Sequence, residues 1–131
     1  MMYREPSDSP WGLVVRCDTL CPGVYSVSTA GHGGIMAQID AARQLLSLEA
    51  QQVGFQAGGY LNFEEDCDAP VALRELMDSG IIAPRTDNYF RPGEYEACID
   101  RSLQHWNPAY WQARQERLSV REAKAAKERE R

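Results

Sequence analysis

Two short segments of the chain carry the residue types from which chemistry is made. Ser28-Thr29-Ala30-Gly31-His32-Gly33-Gly34 holds an imidazole among glycines, and Glu64-Glu65-Asp66-Cys67 holds carboxylates and a thiol. A histidine flanked by glycines has almost no neighbouring side chain to hide behind. Glycine also lets the backbone take positive φ or lie close to another surface. His32 with Glu64, Glu65 or Asp66 would make a general acid–base pair. His32 with Cys67 and one or two of the same carboxylates would make a metal site. Cys67 at a helix start, with His32 as base, would make a nucleophile, although the surrounding acids disfavour the thiolate. If the chain is catalytic, its set is therefore His32, Glu64, Glu65 and Cys67. The alternative needs no catalysis. Thr29, Gly31, His32, Gly33 and Gly34 form a turn that His32 pins to Glu64, Glu65 or Asp66 by a hydrogen bond, and Cys67 packs as a small hydrophobe. The spacing matches no zinc motif, and Cys17-x-x-x-Cys21 lacks a second close pair. No metal and no cofactor are expected.

These residues need elements to hold them. Trp11–Cys17 is β-prone, and Gly23–Thr29 alternates apolar and polar residues, so the pair predicts an antiparallel hairpin. Asp18–Pro22 reads as its turn. The glycine run then leads into a helix over 38–50, carried by Ile39, Ala42, Leu45 and Leu46. That context suits anion capture at a helix N-terminus, but no lysine follows the glycines. A third strand is expected near Tyr60 or Tyr89. Further helices are expected over 66–79, 92–106 and 108–120, the last opened by Asn107-Pro108. The fold class is α+β, a hairpin or small sheet packed on three to four helices. Residues 1–10 read as a flexible arm, 11–120 as one domain and 121–131 as a charged, solvated helical tail. Trp11, Val14, Val27, Leu45, Val71, Leu76, Ile99 and Leu103 are the expected core.

At 131 residues and 44% hydrophobic content, the chain has enough apolar surface for one core. Net charge is −5. Residues 121–131 carry five basic and three acidic groups, so the first 120 residues stand at −5 − 2 = −7. An acidic body disfavours nucleic acid and suits a partner with a basic surface. Tyr95, Trp106, Tyr110 and Trp111 form an aromatic stripe. Acids interleave with it, so it reads as helix packing or as interface anchors rather than a base-stacking platform. The polar start Met1–Pro10 resembles no signal peptide, and no run is apolar enough to span a membrane. Cytoplasmic residence and reduced cysteines are expected.

Pro10-Trp11-Gly12, Thr29-Ala30-Gly31-His32-Gly33-Gly34 and Glu64-Glu65-Asp66-Cys67 fall in an order that resembles an uncharacterised domain family of phages, plasmids and bacterial genomes. The resemblance covers roughly residues 10–80, and Asn107-Pro108-Ala109-Tyr110-Trp111 is similar to the downstream segment of phage members. It implies a mobile-element setting, where small proteins bind or disarm host machinery. The expected function is non-enzymatic binding to a host protein or protein complex, of counter-defence (anti-CRISPR or anti-restriction) type. A homodimer also stays open. The other reading is a small enzyme or ligand-binding domain at His32 and Glu64–Cys67.

Overall fold

The computed structural model describes residues 3–130; Met1 and Met2 of the expected arm and Arg131 of the tail lie outside the described residues. The architecture is α+β. A five-stranded antiparallel sheet has the order β3-β4-β5-β7-β6, with β3 Arg16–Cys21, β4 Val24–Ser28, β5 Gly33–Gln38, β6 Phe55–Ala57 and β7 Tyr60–Glu64. A separate two-stranded hairpin, β1 Asp8–Ser9 and β2 Gly12–Leu13, precedes it. One face of the sheet carries the helices α1 Ile39–Leu45, α2 Leu48–Val53, α3 Ala69–Asp78, α4 Glu94–Trp106 and α5 Pro108–Arg129.

The expected hairpin exists, shifted along the chain. Its first strand begins at Arg16, runs through Asp18, Thr19 and Leu20, and turns at Pro22-Gly23, where Gly23 takes φ +88°. The polar Asp18 and Thr19 suggested a turn. They belong instead to an edge strand, where solvent meets them. The alternation in β4 sends Val24 toward the helices, while Tyr25 and Val27 lie on the opposite face with Met36.

The helix expected directly after the glycines does not begin there. Gly33–Gln38 is the central strand, paired to β4 on one side and β7 on the other. Both faces of β5 are covered, so its residues show no alternation, and Gly33 and Gly34 are buried with Ile35, Met36 and Ala37. A strand buried on both faces reads as a continuous apolar run, which periodicity cannot separate from a helix. The helical stretch beyond it is also two helices rather than one. The Gln38 side chain accepts hydrogen bonds from the Asp40 and Ala41 amides to cap α1, and Ser47 accepts from Ala50 to cap α2. Gly58 and Gly59 turn β6 into β7 with φ of +61° and +84°, the left-handed pair a two-residue hairpin demands. The third strand is thus at Tyr60, and residues around Tyr89 form no strand.

Residues 3–10 lie against the sheet rather than forming an arm. Tyr3 packs on both apolar clusters, Asp8–Ser9 pairs with Gly12–Leu13, and the Thr19 hydroxyl donates to Glu5 at 2.8 Å. Of the expected core, Val27, Val71, Leu76, Ile99 and Leu103 are buried, while Trp11, Val14 and Leu45 are half-buried. Trp11 and Val14 roof the sheet's helix-free face and keep an outer side in solvent.

A polar clamp holds the helices. Glu75, 6% exposed, accepts from the Ser47 amide at 2.6 Å, the Tyr110 hydroxyl at 2.6 Å and Arg117 Nη2 at 3.2 Å. One buried carboxylate thereby ties α3 to the start of α2 and to α5. Arg114 grips Asp78 with two parallel bonds of 2.7 and 2.9 Å. Arg74 reaches Asp100 of α4 at 3.2 Å.

Gly34→Ala is expected to cost about 3 kcal/mol, because its Cβ would collide with the Phe63 carbonyl and with Trp11. Gly31→Ala should stay within about 0.5 kcal/mol, since a Cβ there meets nothing within 4 Å and φ is not positive. Arg114→Leu removes both bonds to Asp78, which is exposed and keeps Arg74 at 3.6 Å, and should cost about 1.5 kcal/mol. Denaturant melts of the three variants check these values.

Candidate functional site

The turn between β4 and β5 is closed at Thr29 and His32. The Thr29 amide and hydroxyl both donate to the His32 carbonyl, at 2.7 and 2.6 Å, and the His32 amide donates back to Thr29 Oγ1 at 3.1 Å. These bonds fix the backbone that carries the imidazole. The ring then packs edge-on against Trp11, with centroids 6.0 Å apart.

Gly33 and Gly34 act through close approach, since neither has a positive φ. A Cβ on Gly34 would lie 2.5 Å from Trp11 Cη2, so the bare Cα is what admits the indole. A Cβ on Gly33 would collide with the Val27 carbonyl oxygen, with the Ser28 Cα at 3.2 Å and Glu65 Oε2 at 3.3 Å. Gly34 thus makes room for the ring that backs His32, and Gly33 for the close passage of the β4 backbone at Val27.

Glu65 comes directly after the last residue of β7, and its amide donates to the Gly33 carbonyl at 3.1 Å. This bond joins the acidic segment to the glycine turn. His32 Nδ1 lies 3.4 Å from Glu65 Oε1, with both side chains partly exposed. In that setting the pair is worth below about 1 kcal/mol. One donor atom each from His32, Glu65 and Asp66 come within 4.8 Å of one another. The two segments singled out in the sequence therefore meet in space.

Glu64 and Cys67 turn away to each other. The Cys67 thiol lies 3.7 Å from Glu64 Oε2 as a donor, and its backbone carbonyl accepts from Asn107 Nδ2 at 2.8 Å. Burial, followed by the charges of Asp68 and Glu64, pushes the thiol pKa above its ordinary value. Such a thiol is protonated at neutral pH and is a poor nucleophile. The four cysteines are free, and Cys17 is pushed up to about 11 by burial and then by Glu5.

The aromatic stripe divides. Trp106 is exposed, Tyr95 and Trp111 are half-buried, and Tyr110 is buried with its hydroxyl on Glu75. Burial and Glu75 hold that hydroxyl far above its ordinary pKa, so it remains a donor. Tyr110 is therefore a core residue and not an interface anchor. The clamp itself was not anticipated, although Tyr110, Arg114 and Arg117 stand at the spacing of one helix face. A cleft of about 470 Å³ opens between the β3–β4 edge and the helices, with Asp18, Ser26, Ser28, Glu65, Arg85 and Tyr95 among its walls. Among the described residues, no helix is long and apolar enough to cross a membrane.

A family model described as a domain of unknown function, DUF7007, matches residues 4–131. The chain belongs to this family. The DUF7007 match takes in α4 and α5, so the clamp and the glycine turn are parts of one family unit. No curated protein and no solved structure matches the chain.

On limited treatment with iodoacetamide at neutral pH, the exposed Cys98 should be alkylated well before Cys67. Peptide mass mapping reads the order, and first labelling of Cys67 would revive it as a nucleophile.

Proposed function

We propose that this DUF7007 chain is a mobile-element accessory protein that acts by non-enzymatic binding to a basic surface of a host protein complex, in the manner of a counter-defence inhibitor. The observation that carries this reading is an exposed apolar pair, Leu13 of the β1–β2 hairpin and Val15 just before the edge strand β3. Leu13 and Val15 are 76% and 75% exposed, beside β3, which pairs with β4 alone among the described strands. Apolar side chains beside an open row of backbone donors and acceptors favour docking of another chain. The Val15 amide bonds the Ser28 carbonyl at 2.8 Å, which brings the pair next to the His32 turn. Exposed Asp8 lies beside it, Asp18 is paired with Arg16 at 3.2 Å, and the body's net negative charge complements a basic partner. The mobile-element setting rests on the motif resemblance.

The test compares the wild-type chain with Leu13→Asp/Val15→Asp in hosts that carry or lack a restriction or CRISPR system. Wild type is expected to restore phage plating on a defended host and to co-purify with a component of that system. The double variant should melt within a few degrees of wild type and do neither. Equal behaviour of the two proteins, or no effect on any defended host, would overturn the reading.

A further inference from the structure

We propose that His32, Glu65 and Asp66 form a binding site for one divalent transition-metal ion, with Zn²⁺ as the reference case. The site lies beyond the docking reading and does not depend on it. Its donors are one imidazole nitrogen and two carboxylate oxygens, mutually within 4.8 Å. Metal bonds of about 2.0–2.2 Å place neighbouring ligands about 3–3.5 Å apart, so closing the set takes side-chain shifts of about 1 Å. Glu65 and Asp66 are exposed and have the freedom to make them.

The scaffold fixes the His32 side of the site and the backbone that carries Glu65. The His32 backbone is locked by Thr29, its ring is backed by Trp11, and the Glu65 amide is bonded to the Gly33 carbonyl. Adjacent carboxylates turned toward one imidazole repel each other, and a dication relieves that repulsion. A nitrogen–oxygen–oxygen set suits Zn²⁺, Mn²⁺ or Co²⁺ better than soft Cu(I), while Mg²⁺ and Ca²⁺ favour oxygen alone. Cys67 takes no part, because its thiol is committed to Glu64. The metal set considered from the sequence joined Cys67 to His32 and one or two of Glu64, Glu65 and Asp66; the fold keeps Glu65 and Asp66 beside His32 and leaves Cys67 out. Three protein ligands leave coordination positions open to water or to a group from another molecule.

The experiment uses the full chain, stripped with EDTA and titrated with ZnCl₂ and with MnCl₂ by calorimetry and thermal melting. Wild type and Cys67→Ser are expected to bind one Zn²⁺ per chain and to melt several degrees higher with it. His32→Ala and Asp66→Asn should melt near wild type without metal and bind at least about tenfold more weakly. The absence of saturable binding in wild type would overturn the proposal. So would binding that survives both His32→Ala and Asp66→Asn, or binding lost in Cys67→Ser.

Discussion

The Trp11 indole lies where a side chain on Gly34 would have to be. That single omission organises one side of the molecule. It lets the segment before β3 roof the sheet, with Trp11 edge-on to both His32 and Phe55. It also gives β5, already central through its pairing with β4 and β7, cover on both faces. The cost of glycine in a strand, about 0.5–1 kcal/mol of extra chain entropy, is offset by burial of the indole.

The other side depends on a charge taken out of water. Glu75 would be strongly destabilising alone, but it accepts bonds from an amide, a hydroxyl and a guanidinium. Because those donors come from the start of α2 and from α5, satisfying the carboxylate sets the helix arrangement. Arg114 on Asp78 extends the same logic one turn along α3. Beyond this clamp α5 continues to Arg129 as a mostly exposed, charged helix, as its lack of an apolar face implies.

The candidate site sits between these two devices. His32 belongs to the roofed face through Trp11, and Glu65 and Asp66 belong to the turn that leads into α3. Neither segment supplies all three donors alone. The antiparallel pairing of β5 with β7, in register from Gly34 and Glu64, is what draws them together. Once that register is set, Cys67 is carried past the group and is held through its carbonyl by Asn107.

Much of the local structure was legible because its signals are local. The alternation of β4, the Asn107-Pro108 start of α5, and the stripe of Ile99 and Leu103 in α4 each need only their own neighbours. The importance of His32 and the acidic segment was legible from residue type alone. Strand β5 was not, since burial on both faces erases the period that distinguishes strand from helix. Nor was the choice of Asp66 over Cys67, or the burial of Tyr110. Side-chain chemistry and short-range periodicity are written residue by residue, so the sequence by itself determined the α+β class, the acidic body and the chemical groups on offer. Which groups meet depends on strand register and on where buried charges find partners, and these are relations between distant segments that only the tertiary structure decided.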